Sequence, residues 1–298
     1  MRILLSGCEG QLGRALTVVL PSCGELHPFA KADFDLISEP AMLAVLDRVR
    51  PDLVINAAAY TAVDQAETEP ALAMAVNGAG PGVIARWAAK NDAALLHYST
   101  DYVFDGVDAG SYRESDPVCP ANRYGATKLA GEQAIRNSGA RHLIVRTSWL
   151  YDGVGRNFLT SMLRLAAERE ELRVVDDQTG APTPAAWLAE ATVRILAGAS
   201  GVALFQADSG GILHAAAAGQ TSWHGFAVAI IEEARRSGLP VKAVRVVPVP
   251  SSAYPTPARR PRHSVFALDR LREEFGVSPP PWRAALSQVF ETIFRTGA

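Results

Sequence analysis

The apolar positions of this chain follow two rhythms. Short, largely apolar runs recur at 2–6, 25–29, 53–56, 94–99 and 142–146, as expected of strands buried on both faces. Between them, apolar residues three and four apart predict helices over 11–20, 39–49, 71–90 and 122–137. Strand and helix alternating in this way build βαβ units with right-handed crossovers. The expected fold is therefore α/β, a Rossmann-type doubly wound parallel sheet. On such sheets ligands bind outside the carboxyl ends of the strands.

The rhythm changes after Trp149. Helices are expected over 157–168, from the loop Asp176–Pro184 to about Ala197, over 223–238 and over 281–295. Brief strands are expected at 173–175 and 243–249, and the prolines from Pro248 to Pro261 predict ordered loop. This organisation divides the chain into a dinucleotide-binding domain, 1–150, and a smaller interleaved C-terminal lobe, 151–298. The lobe is mainly substrate-binding, with some segments returning to the first domain.

Composition narrows the class. A chain of 298 residues has room for a large core and an accessory lobe. A net charge of −2 gives no general attraction to nucleic acid or an anionic membrane. Cys8, Cys23 and Cys119 are odd in number and lack CxxC spacing, against both a disulfide framework and structural zinc. No run approaches the ~20 apolar residues that cross a bilayer. The amino terminus reads as a strand rather than a secretory signal, so the expected location is cytoplasmic.

Gly7-Cys8-Glu9-Gly10-Gln11-Leu12-Gly13 joins the first strand to the first helix. Gly7 permits a tight turn, Gly10 admits a pyrophosphate to the helix N-terminus, and Gly13 permits close helix packing. The GxxGxxG spacing points to short-chain reductases. The second strand ends in Phe29-Ala30-Lys31 without a carboxylate. That favours NADPH, with NADH possible because Asp33 and Asp35 lie close by. Lys31 reads equally well as a solvated surface residue. Ala57-Ala58-Ala59 leaves room for a flat adenine or ribose edge, with Tyr60 and Thr61 adjacent, or else marks a helix–strand contact.

The chain is poor in lysine, with Lys31, Lys90, Lys128 and Lys242 only, and one stands four residues after a tyrosine: Tyr124-Gly-Ala-Thr-Lys128. On a helix that spacing brings both side chains to one face. A phenol beside an ammonium is a proton donor whose pKa the charge lowers; the plain alternative is a surface tyrosine near a solvated lysine. Ser99-Thr100-Asp101 ends the fourth strand, where the Thr100 hydroxyl can face the same cleft. Such a set suits ketone reduction by hydride transfer.

With these segments, Asn56–Asp64, Ser99–Phe104, Arg146-Thr147-Ser148-Trp149, Asp177–Thr183 and Pro257-Ala258-Arg259-Arg260-Pro261 complete a pattern. Over nearly its whole length the chain resembles the dTDP-4-dehydrorhamnose reductases, extended short-chain dehydrogenases/reductases of dTDP-L-rhamnose biosynthesis. The resemblance implies NADPH-dependent reduction of the C4 ketone of a dTDP-linked 4-keto-6-deoxy sugar. It implies that Tyr124 protonates the keto oxygen and that Lys128 holds the nicotinamide ribose and depresses the phenol pKa. Thr100 and Asp101 would contact the sugar and Trp149 would pack against it. Asp35, Leu36, Ala59, Tyr60 and Thr61 would line the cofactor pocket. Arg259 and Arg260 would meet the diphosphate, unless they form a solvent-facing basic pair.

Departures from the family pattern also carry expectations. Some members hold Mg²⁺ at a dimer contact through glutamates. Ala15 and Ala186 stand at the corresponding positions here, so metal is doubtful, and the partner state is left as monomer or homodimer. Tyr60 replaces a frequent histidine, and a stretch near 203–211 has no family counterpart. Two other readings share the fold: a reductase of a different nucleotide-linked 4-keto sugar, and a non-catalytic regulatory subunit.

Overall fold

The computed structural model describes residues 1–107, 110–198 and 211–294. At its centre lie β1 (Arg2–Ser6), β2 (Glu25–Phe29), β3 (Leu53–Asn56), β4 (Ala94–Thr100) and β5 (Arg141–Thr147). A strand from the second half, Gly211–His214, adds to β5. Among the described residues these form one six-stranded sheet in the order Gly211–His214, β5, β4, β3, β1, β2. Every pairing in it is parallel. The chain starts at β1, steps to the β2 edge, then returns to β3 and moves outward. The reversal opens a crevice between the carboxyl ends of β1 and β3, where an α/β sheet takes its ligand.

Alternation along the strands sorts the core into two layers. Ile3 and Leu5 of β1 pack with Ile55, Leu96 and Val145 against α1 (Gln11–Val19). Leu4 faces the other way, with Val54, Leu95 and Ile144, against α2 (Glu39–Val49). All four residues of β3 and all seven of β4 are buried, which is why both read as nearly unbroken apolar runs.

The helix expected over 71–90 is continuous but not uniform. It comprises α3 (Pro70–Met74), a π-helical turn (Ala75–Ala79) and α4 (Gly80–Lys90). The turn presents Asn77, whose carboxamide oxygen accepts the Tyr60 N–H at 2.9 Å. Its nitrogen donates to the Tyr60 carbonyl at 3.0 Å and to Thr127 Oγ1 at 3.2 Å. The loop after β3 is thereby tied to α5 (Arg123–Arg136), a positional use typical of π turns. The helix predicted over 122–137 is α5 with Asn122 as its cap, the Asn122 side chain accepting the Gly125 N–H at 2.8 Å.

The second half contributes to both regions of the molecule. Leu188 and Ile195 of helix Ala185–Gly198 join the β1-side core beside α1. A separate core gathers Leu159, Leu172, Phe226, Ile230 and Phe290. It is built on helices Phe158–Glu168, Trp223–Arg236 and Trp282–Phe294 and on the parallel pair Glu171–Val175 with Arg245–Val249. The stretch near 203–211, expected to lack a family counterpart, lies outside the described residues except for Gly211, which opens the edge strand.

Candidate active site

A cleft of about 840 Å³ runs across the carboxyl ends of β1, β3, β4 and β5. At one end lies the glycine turn. Gly7 has φ +74°, and a Cβ there would stand 2.7 Å from the Ala58 nitrogen, so the turn and the alanine loop touch backbone to backbone. A Cβ on Gly13 would meet the Gly7 carbonyl oxygen at 1.9 Å, which fixes how closely α1 approaches the turn. Helix α1 has no side-chain cap and no acidic residue in its first turn. Its N-terminal N–H groups and dipole are thus offered to an anion entering the cleft.

The fit to a dinucleotide extends along the wall. Gln11 Oε1, Ser99 Oγ and Thr147 Oγ1 are buried side-chain oxygens that line the cleft without a hydrogen bond to the protein. Buried polar atoms normally have partners, so these three suit a polar ligand. Lys31 is exposed where it lines the cleft, beside half-buried Asp35 and buried Leu36. Gly10, Leu12, Ala58, Ala59, Tyr60 and Thr61 also line the cleft. Tyr60 donates its hydroxyl to Glu69 at 2.6 Å, which aims the ring along the 60–69 loop. Gly13, Arg259 and Arg260 do not line it.

The other end holds the candidate chemistry. Tyr124 and Lys128 project from the first two turns of α5, and both line the cleft. The Thr100 hydroxyl lies close enough to the Tyr124 phenol to act on its pKa, and Tyr102 packs edge-on against the ring at 5.5 Å between centroids. Burial pushes the phenol up to about 12; the Asp101 charge acts in the same direction and the Thr100 hydroxyl opposes both. Asp101 is itself pushed up to about 6 by burial, against the Ser264 and Thr100 hydroxyls. Thr100 Oγ1 donates to Asp101 Oδ1 at 3.0 Å and accepts the Tyr102 N–H at 3.2 Å.

Lys128 departs from expectation. Its amine, 2% exposed, donates to the Tyr98 carbonyl at 2.7 Å and lies 3.1 Å from His97 Nε2. Burial lowers it to about 8, with Glu132 pulling it back up. The expected lowering of the Tyr124 pKa by Lys128 is corrected: the phenol is raised, and the amine is turned into the wall of β4. The tyrosine–lysine spacing set the shared face correctly, but the direction of the lysine depends on strand groups that the spacing does not encode.

Trp149 lines the cleft with φ +45°, strained for a side chain of this size. One indole face lies flat on Trp223, centroids 3.5 Å apart, and Gly180 sits against the ring so closely that a Cβ would meet it at 2.4 Å. Only the remaining face and edge are left for a sugar. Arg260, expected to meet a diphosphate, is instead paired with Asp64 at 2.8 Å and donates to the Ala258 carbonyl. Arg259 is exposed.

Sequence reading missed several wall residues. Ser99 and Thr147 end adjacent parallel strands, so the carboxyl-end rule was signal enough to name them. Arg14 and Arg156 also line the cleft; Arg14 donates to Asp152 at 3.0 Å and to the Glu9 carbonyl at 2.7 Å, a bridge between distant segments with no local signature. Among the described residues no three His, Cys, Asp or Glu side chains group to hold a metal.

Comparison with known proteins agrees with this geometry. Residues 1–294 match the family described as RmlD substrate binding domain. A dTDP-4-dehydrorhamnose reductase from Burkholderia thailandensis is 46% identical over 96% of this chain and 97% of its own. The Escherichia coli K12 enzyme of that name is 44% identical over 100% of both chains. The crystal structure of the Bacillus anthracis dTDP-4-dehydrorhamnose reductase in complex with NADP superposes with a TM-score of 0.89 at 36% identity, over 98% of this chain and 99% of that one. A Thermus thermophilus UDP-glucose 4-epimerase with NAD, 19% identical with a TM-score of 0.80 over 100% of both chains, shares the fold. Glycine turn, Thr100–Tyr124–Lys128 cluster and full-length similarity converge: the chain belongs to the dTDP-4-dehydrorhamnose reductase family.

Proposed function

We propose that this protein reduces the C4 ketone of dTDP-4-dehydro-6-deoxy-L-mannose to the alcohol of dTDP-L-rhamnose, using NADPH. The carrying observation is that Tyr124, Thr100 and Lys128 meet in the cleft that also holds the uncapped N-terminus of α1. Gly7, Gly10, Gln11 and Leu12 would hold the pyrophosphate, Lys31 the adenosine side, and Lys128 the ribose beside the reacting carbon. A bound NADPH supplies the hydride.

The protein's own part is proton delivery and orientation. A phenol raised to about 12 stays protonated across the physiological range, so Tyr124 acts as a general acid toward the keto oxygen as negative charge develops there. Thr100 stands beside the phenol, and its hydroxyl would give the same oxygen a second hydrogen bond in place of the one it donates to Asp101. Asp101 and the free side of Trp149 face the sugar. The lobe around Phe226 supplies Trp223, which braces Trp149. The reading includes a monomer or homodimer without bridging metal, since Ala15 and Ala186 offer no oxygen ligands. It also includes a cytoplasmic location, consistent with three free cysteines.

Incubation with NADPH and the dTDP-linked 4-keto sugar tests the proposal. Cofactor oxidation should match formation of dTDP-L-rhamnose, identified by NMR. Turnover with only a different nucleotide-linked 4-keto sugar would move the assignment to that sugar. Binding without turnover on any of them would favour a regulatory subunit.

A further inference from the structure

His97 and Asn56 are buried polar residues that the reduction described above leaves unused. His97 is fully buried on β4, with Nε2 at 3.1 Å from Lys128 Nζ and Nδ1 at 3.0 Å from the Asn56 carboxamide nitrogen. Hydrogen positions follow from a donor that has no choice. The Ala58 backbone N–H can only donate, so the Asn56 atom it meets at 3.2 Å is the carboxamide oxygen. That oxygen also accepts the Ser6 hydroxyl at 2.6 Å. The Asn56 NH₂ therefore faces His97, and Nδ1 must accept from it. A neutral imidazole with a bare Nδ1 carries its hydrogen on Nε2, aimed at Lys128.

At Lys128 the Tyr98 carbonyl takes one N–H. An ammonium has no lone pair, so it would meet the Nε2–H of His97 donor against donor. A neutral amine accepts that hydrogen and still donates to Tyr98. We propose that His97, locked in its Nε2–H form by Asn56, is a positioning residue that makes the neutral amine a resident form of Lys128 and so sets where this lysine gains and loses its proton.

The surroundings agree. The titratable groups about the amine are His97 on β4 and Tyr124 and Glu132 on α5, with Arg146 of β5 beyond, bound to Glu132. Asp101, at the end of β4, acts on Tyr124 through its charge. Burial and the Lys128 charge hold His97 well below its ordinary value, so the imidazole stays neutral and the lysine is the group that titrates. For catalysis, resting on the role proposed for Lys128 above, the cofactor-side charge then switches where Lys128 titrates, about 8.

The full chain labelled with heavy nitrogen in histidine and lysine decides this without substrate, so failure here is distinct from failure of the proposed reaction. With six histidines and four lysines both NMR spectra are sparse, and His97→Gln assigns the His97 signals by their loss. The expected result is a hydrogen on Nε2 alone, with Lys128 losing its proton at least one pH unit below the other lysines, about the shift that one hydrogen-bond reversal gives a buried group. An Nδ1–H imidazole, or a Lys128 that titrates with the rest, overturns the proposal. Two variants then separate tautomer from charge. Asn56→Asp keeps an acceptor for Ala58 but demands the Nδ1 hydrogen, while His97→Gln offers the amine an oxygen without adding charge. Both should raise the Lys128 midpoint by about one unit. A rise in Asn56→Asp alone would report the added carboxylate and sink the tautomer argument. If either variant fails to fold, the wild-type spectra still decide.

Discussion

Helix α5 carries Tyr124, Lys128 and Glu132 four residues apart along one stripe, and its two halves use burial in opposite ways. In the second half, Glu132 takes a bidentate pair of bonds from Arg146 at 2.9 and 2.6 Å, both side chains about 1% exposed. Charge there is matched by charge. In the first half, Lys128 is equally buried but has a carbonyl and an imidazole, not a carboxylate, as its hydrogen-bond partners, and Tyr124 lies beside a hydroxyl and a raised carboxyl. Burial therefore encloses a matched ion pair in one half of the helix and moves the protonation of the cleft residues in the other. A helix can anchor itself with one turn and hold reactive groups with the next.

Tyr124→Phe breaks the functional half with the largest expected effect. The ring and its contact with Tyr102 remain while the proton donor goes, so turnover should fall roughly 10²–10⁴-fold, the scale of general acid catalysis. Cofactor affinity should barely change. Turnover within threefold of the parent chain would remove Tyr124 from the chemistry.

Glu132→Gln breaks the other half. Arg146 would be left as a buried charge without its counter-ion, a loss of about 3–5 kcal/mol measured by denaturant unfolding. The replacement of both partners by apolar residues should cost far less than either single change. Equal costs would mean that packing, rather than charge matching, holds this part of α5.

Lys128→Met sharpens the contrast because it should move stability and activity in opposite directions. Folding lowers the Lys128 pKa from its ordinary 10.5 to about 8. A lowered lysine disfavours the charged form, so its cost is fully present below about pH 8 and fades as pH rises toward 10.5. At pH 7 the methionine variant should be more stable by about 1–3 kcal/mol, with that advantage shrinking by pH 10 and with reductase activity lost. A variant less stable than the parent chain at pH 7 would show that the bonds to Tyr98 and His97 outweigh the charge.

The same contrast explains what was legible in the sequence. The sheet, its parallel order and the glycine turn follow from local pattern, since buried strands and a strand–helix turn each have short-range signatures. Tyr124 and Lys128 were found for the same reason, being one helical turn apart. What escaped was set by contacts between distant segments: the His97 contact that turns the lysine aside, the π turn that aims Asn77, Trp223 behind Trp149, and Asp64 holding Arg260. The pair Glu132–Arg146 is of this kind too, because nothing local links residues on α5 and β5. The joining of distant segments beside the cleft is likewise a long-range matter, visible in the Arg14–Asp152 bond but in no short motif.

Lys31 offers the smallest and most selective test, on a cation that burial does not touch. It stands exposed at the cleft rim, at the end of β2, where an acidic residue would accept a ribose hydroxyl and repel a 2′-phosphate. Exposed charges are screened, so its contribution should be near 1 kcal/mol and should weaken with salt. The parent chain should show higher kcat/KM with NADPH than with NADH, by about tenfold or less. Lys31→Asp should erase or reverse that preference while leaving unfolding and the Lys128 titration unchanged. If the preference survives the substitution at low salt, the 2′-phosphate is read elsewhere on the rim, where Arg14 and Arg156 also line the cleft; their substitution should then shift the preference that Lys31→Asp left intact.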